Sequence, residues 1–248
     1  MRTVLFVVLG AAALFFGILL LMILILIIAA LCVDPRKEYP RNSRFYRFLL
    51  NTATAWMVFF LRIRVNVTGL DAVPPTGRFL FVGNHRSNFD PIIAWHVLKE
   101  QNVAFLSKEA NFHIPAFGRI IRRCCFMAVD REHPLSSAKT FRKAAALLKA
   151  EEVSIGVYPE GTRNRAHGLL PFHNGVFRIA KEANVPIVIG AMQGTDRIRS
   201  RTPWKKTTVE VRFSVIPAEQ VAALSPAELG DAVFQKLTIF LKDEETAS

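Results

Sequence analysis

The sequence predicts an α/β protein, with a central mixed sheet flanked by helices and an N-terminal membrane-anchoring helix pair in front of it. Three observations predict this. Val4 to Val33 is an unbroken apolar run with no charge and no proline. Residues 44–63 carry an apolar stripe at helical spacing, with basic residues at both ends. From residue 65 onward, short β-rich runs alternate with helical stretches, the pattern of a sheet with packed helices. The chain divides accordingly into an anchor, residues 1–64, and a body, residues 65–248.

A helix needs about 20 apolar residues to cross a bilayer, so residues 4–33 suffice for a transmembrane helix. A signal peptide would have an apolar core roughly half as long and a small-residue cleavage site. Leu31 before Cys32 also spoils a lipoprotein-type cleavage site. Straight, the helix would be about 45 Å long against a hydrocarbon core of about 30 Å, an excess that tilt absorbs in part. Arg36, Lys37, Arg41, Arg44 and Arg47 follow the run, whereas only Arg2 and the amino terminus precede it. The positive-inside rule then places everything after residue 34 in the cytoplasm. In residues 44–63, Leu49, Ala53, Trp56, Phe60 and Ile63 share one helical face. That stripe fits a helix lying in the membrane interface and equally a helix packed on a core.

In the body, strands are expected at 64–69, 79–83, 103–107, 125–129, 153–158, 185–191 and 207–216. Helices are expected at 91–99, 136–150, 174–183 and 226–242, the second capped by Ser136 or Ser137 with Phe141, Ala145 and Leu148 on one face.

The chain is 51% hydrophobic and carries 20 Phe, with 32 basic against 20 acidic residues and a net charge of +12. Such a balance favours anionic partners. Beside so apolar an N-terminus, an anionic membrane surface and a phosphorylated substrate fit better than nucleic acid, and no nucleic-acid-binding motif is present. Cys32, Cys124 and Cys125 form neither a disulfide framework nor a CxxC zinc site, which suits a reducing compartment. Asn66-Val67-Thr68 fits the glycosylation pattern but falls in an expected strand.

The chemistry concentrates in a few blocks. Asn84-His85-Arg86-Ser87-Asn88-Phe89-Asp90 follows the apolar strand ending at Gly83 and contains an HxxxxD pair. Histidine suits general-base work near neutral pH, and a carboxylate fixes its tautomer. Five residues apart on one helix, the two would diverge by about 140°. They meet only if His85 lies on a loop and Asp90 at a helix entrance, where Pro91 fits the first turn. Asp90 before a proline is also a good N-cap with no catalytic duty.

Tyr158-Pro159-Glu160-Gly161-Thr162-Arg163 comes next after a strand. Glycine permits close backbone approach, threonine donates, and arginine grips phosphate with two donors, so the block makes a plausible anion cradle. A solvated turn would read the same way. Lys108, in Lys108-Glu109-Ala110-Asn111-Phe112-His113-Ile114-Pro115-Ala116-Phe117-Gly118, sits at a strand end that could face the same crevice, and Arg131 follows in Val129-Asp130-Arg131. Val185-Pro186-Ile187-Val188-Ile189-Gly190 reads as buried strand. There is no GxSxG elbow, HExxH, P-loop or GxGxxG, and the other histidines lack close metal-ligand spacing. A His–Asp pair without a protein nucleophile leaves a hydroxyl of the substrate, or water, to attack.

NHRSNFD, KEANFHIPAFG with VDR, YPEGTR and VPIV, in that order across residues 65–217, resemble the glycerolipid acyltransferase family, in particular its 1-acylglycerol-3-phosphate acyltransferases. The resemblance implies that His85 is the general base on the acceptor hydroxyl and that Asp90 orients it. The hydroxyl would attack an acyl thioester directly, without an acyl-enzyme. Glu160, Gly161, Thr162 and Arg163 would hold the acceptor's phosphate, with Lys108 and Arg131. It implies no metal and no cofactor. The partners would be a membrane lipid acceptor and an acyl thioester, either acyl-coenzyme A or acyl carrier protein, at an anionic membrane surface and with no nucleic acid. Two departures fall near the site. Phe172-His173-Asn174-Gly175 lacks the lysine usual before the glycine, and Ile189 replaces a usual proline. Another acceptor, hydrolysis and a non-catalytic lipid-binding protein are the competing expectations.

Overall fold

The structure is a computed structural model that describes residues 1–130, 134–164, 166, 168–198 and 205–245. Helix α1 (Arg2–Leu31) is followed by α2 (Arg44–Phe60). The body then runs β1 (Ile63–Thr68), β2 (Leu80–Gly83), α3 (Asp90–Val97), β3 (Ala104–Ser107), α4 (Phe117–Arg122), β4 (Met127–Ala128) and α5 (Pro134–Lys149). It continues with β5 (Ile155–Val157), α6 (Arg178–Ala183), β6 (Ile187–Gln193), β7 (Thr207–Ile216), α7 (Ala218–Ala223) and α8 (Pro226–Glu245).

All seven expected strands form, and they pair into one sheet in the order β1-β7-β6-β2-β5-β3-β4. Only β6 and β7 pair antiparallel, so the sheet is mixed as expected. Sequence pattern and position agree. Central β2 and β6 are almost wholly buried and read as continuous apolar runs. The edge strand β1 and its neighbour β7 alternate buried and more exposed residues. Period two sends Phe81 to one core, with α1–α4, and Leu80 and Val82 to the other, with α5–α8.

Two short helices, α4 and α7, were not expected; each has six residues, too few to establish a helical period. Helix α5 begins at Pro134, so Ser136 and Ser137 lie inside its first turn and do not cap it. The Ser137 hydroxyl instead donates to the Asp130 carbonyl.

Helix α1 is the one described helix long and apolar enough to cross a membrane. It packs antiparallel to α2. Phe15 stacks on Trp56, with ring centroids 6.2 Å apart, and Tyr46 donates from its hydroxyl to the Ala29 carbonyl at 2.9 Å. Helix α2 packs on the body through a face other than the expected stripe: Leu49 is buried, but Ala53 and Trp56 are half-buried, Phe60 is exposed and Ile63 begins β1. Tyr46, Leu49, Leu50, Thr54 and Val58 are buried, while Phe45, Phe48, Met57, Phe59 and Phe60 are exposed.

Arg47, counted above among the basic residues after the anchor, is buried in the body. Its guanidinium donates to the Val103 carbonyl at 2.8 Å, the Cys124 carbonyl at 3.1 Å and Asn42 Oδ1 at 2.8 and 3.0 Å. It also lies 4.8 Å from the centre of the Trp95 ring. A charge so partnered fixes α2 to the sheet and takes no part in attracting lipid headgroups.

Candidate active site

Strands β2, β3, β5 and β6 run parallel to one another, so their C-terminal ends share one edge of the sheet. The chain leaves β3 and β5 on opposite sides of β2 from β6, and the crevice opens where the winding reverses, the usual ligand position in such sheets. His85 and Asp90 follow β2, Lys108 follows β3, residues 158–164 follow β5 and Thr195 follows β6.

His85 lies on the loop and Asp90 is the first residue of α3, with Pro91 in its first turn. Asp90 does not cap its own helix. Its Oδ2 turns back toward the loop and accepts from His85 Nδ1 at 2.8 Å and from the Arg86 and Ser87 N–H groups at 2.7 Å each. Oδ1 accepts the Thr195 hydroxyl at 2.5 Å. Asp90 is 0% exposed, and the His85 side chain is 17% exposed. A carboxylate only accepts, so Nδ1 carries the proton and Nε2 is left as the basic atom. The His85 ring stacks on Tyr158, centroids 4.5 Å apart.

The Tyr158 hydroxyl is buried without a partner among the described residues, and burial pushes its pKa well above the ordinary tyrosine value, with Asp90 adding to the shift. It therefore acts as a neutral ring supporting His85. Cys124 and Cys125 are buried, and burial pushes their thiols up to about 11 and about 12, so neither offers a thiolate at neutral pH.

The block after β5 divides its work. Gly161 takes a positive φ of 69° at the turn. Thr162 and Arg163 are exposed and line the cavity with Lys108 and His85. Glu160 does something else. Expected with the phosphate ligands, it is 3% exposed, and its oxygens accept the N–H of His85 at 2.7 Å and of Leu170 at 3.0 Å. Burial raises its pKa, and those two N–H groups oppose the rise. A buried carboxylate would repel a phosphate, so this residue braces the loop. Asn164 completes the brace by donating its N–H to the His85 carbonyl at 2.7 Å. The backbone of His85 is thus held from both sides by residues 160–164. Arg131 lies outside the described residues.

The cavity is about 1200 Å³ and crosses the sheet edge. At one end stand Leu50 and Thr54 of α2, Ile92 of α3, and Phe117 and Ile121 of α4. On the other side Arg163 is joined by Arg142 of α5 and by Arg178 and Glu182 of α6, three cations to one carboxylate. Sequence reasoning missed Arg142 and Arg178, which belong to no motif, and Asn84. Asn84 exchanges two hydrogen bonds with the Met192 backbone, at 2.8 and 2.9 Å, and so ties the start of the His85 loop to β6.

The C-terminal edge of this α/β sheet thus holds a carboxylate-oriented histidine on a cavity lined by apolar and cationic side chains, an arrangement suited to general acid–base chemistry. The family model described as Acyltransferase matches residues 64–192, more than half of the chain, and the chain belongs to that family. The resemblance carried by the four sequence blocks is borne out. The 1-acyl-sn-glycerol-3-phosphate acyltransferase of Haemophilus influenzae is 34% identical over 111 residues, 45% of this chain and 46% of that protein. The alpha form from Mus musculus is 29% identical over 208 residues, 80% of this chain and 70% of that protein. The match thus spans under half the length of the bacterial relative and more of the mammalian one. The crystal structure of the 1-acyl-sn-glycerophosphate (LPA) acyltransferase from Thermotoga maritima shares the fold, with a TM-score of 0.68 at 22% identity over 80% of this chain and 79% of that one.

Proposed function

We propose that the protein transfers a fatty acyl chain from an acyl thioester to the sn-2 hydroxyl of 1-acylglycerol 3-phosphate, giving phosphatidic acid. The observation that carries this is the His85–Asp90 pair opening on a cavity that is apolar toward the anchor helices and cationic beyond. The names of the relatives support the acceptor. In this reading the acceptor's acyl chain lies along α2 and α4, and Lys108, Thr162 and Arg163 hold its phosphate.

The hydroxyl gives its proton to His85 Nε2 as its oxygen bonds to the thioester carbonyl carbon. Asp90 stabilises the imidazolium. The tetrahedral adduct collapses, the C–S bond breaks, and the proton on His85 passes to the departing sulfur. The histidine is regenerated without an acyl-enzyme. The remaining acceleration comes from holding hydroxyl and thioester in attack geometry. Acyl-coenzyme A and acyl carrier protein both fit this chemistry as donor. Helix α1 spans the bilayer, and the basic segment after it keeps the active face in the cytoplasm.

The test follows thiol release from a long-chain acyl-coenzyme A by the detergent-purified protein. Release that depends on 1-acylglycerol 3-phosphate and yields the diacyl product is expected. Equal release without the acceptor would identify a hydrolase and overturn the proposal.

A further inference from the structure

Asp90 is held unevenly. Three donors converge on Oδ2, all from residues 85–87 of its own loop, and they are satisfied by one oxygen. That fan fixes Oδ2 and gives Oδ1 no donor. Oδ1 has one partner, the Thr195 hydroxyl at 2.5 Å, the short distance of a charge-assisted bond. Thr195 is 105 residues away in sequence and 0% exposed. Its chain segment is placed with care. Asn84 ties β2 to β6 two residues before the turn, and Gly194 then takes a φ of 83° where a Cβ would stand 2.5 Å from the Thr208 carbonyl oxygen. The turn thereby delivers Thr195 beneath the dyad.

We propose that Thr195 is a positioning residue for acyl transfer: its hydroxyl locks the Asp90 carboxylate through Oδ1 and so sets the direction and strength of the Asp90–His85 hydrogen bond. It touches no substrate and acts only through Asp90. Without it, Oδ1 would be a buried acceptor with no donor, and more of the negative charge would bear on the Oδ2 contacts, His85 Nδ1 among them. Thr195 thus moderates how strongly Asp90 holds a proton on His85.

The inference rests on His85 acting as base, so the experiment first requires acceptor-dependent thiol release by the wild type and its loss in His85→Ala. Failure there would sink the base reading itself. Thr195→Ala and Thr195→Ser are then compared, because both remove the methyl group and only one removes the hydroxyl. Thr195→Ala is expected to lower kcat about tenfold, the cost of one charge-assisted hydrogen bond, with unchanged KM for both substrates. The acid limb of its pH–rate profile should move to higher pH, because an unmoderated carboxylate holds the imidazolium more tightly. Thr195→Ser should restore both rate and profile. In an Asp90→Asn background, Thr195→Ala should cost far less, since the two act as one unit. Equal rates and profiles for the Ala and Ser variants, or an undiminished cost in the Asp90→Asn background, would overturn the proposal.

Discussion

Arg163 and Glu160 stand three residues apart in one loop and face opposite ways. Arg163 is exposed on the cavity, whereas Glu160 is turned inward onto two backbone N–H groups. Their substitutions should therefore fail differently. Arg163→Ala should raise KM for the lysolipid about tenfold or more while leaving thermal stability unchanged, as loss of a charged hydrogen bond implies. Glu160→Gln places an amide N–H₂ against one of those backbone donors, so it should lower Tm and kcat without singling out the lysolipid KM. Steady-state kinetics with melting curves separates the two, and a lysolipid-specific KM effect of Glu160→Gln would return that residue to the ligand shell. The sequence could not make this distinction. Spacing places Glu160 near the crevice, but which way a side chain turns depends on the N–H groups of His85 and Leu170, from other parts of the loop system. His85 and Asp90 were legible because their geometry is local: one loop, one helix entrance and one proline. Thr195 was not, since nothing in Gly194-Thr195-Asp196 signals that β6 ends beside β2.

Elements were legible where their pattern extended over several residues. The strands appear at their expected places because continuous apolar runs and strict alternation are decided by burial on two faces or one. Helix α4 starts at the end of the Lys108–Gly118 block, and its six residues give less than two turns of period. Helix α2 shows why a stripe alone leaves two readings open: its buried face meets the body, and Phe45, Phe48, Phe59 and Phe60 remain outside. Arg47 settles that docking, since its guanidinium satisfies carbonyls beside β3 and after α4. Arg47→Ala should cost about 2–4 kcal/mol, because it strands those carbonyls and removes the Trp95 contact. Thermal unfolding in detergent checks this. An unchanged Tm would mean that α2 is held by its apolar face alone.

At the scale of the molecule, the sheet separates two kinds of surroundings and the cavity joins them. Helices α1 to α4 cover one face, with α2 to α4 bringing apolar lining, while α5 and α6 cover the other and bring arginines. The substrate this suits has a greasy tail and an anionic head, with its hydroxyl between them at the sheet edge beside His85. An apolar flank running to the anchor helices also favours a lipid hydroxyl over water as nucleophile. Order and spacing of the blocks disclosed the family, but not this division, which needs the strand order to be known. The proposed reaction turns on His85 Nε2 as the base. The most direct test is His85→Ala, assayed for acceptor-dependent acyl transfer alongside lysolipid KM and Tm. The account predicts a kcat lower by about 10²–10⁴-fold, with KM and Tm close to wild type. A variant that folds, binds the lysolipid and transfers the acyl chain at the wild-type rate would contradict it.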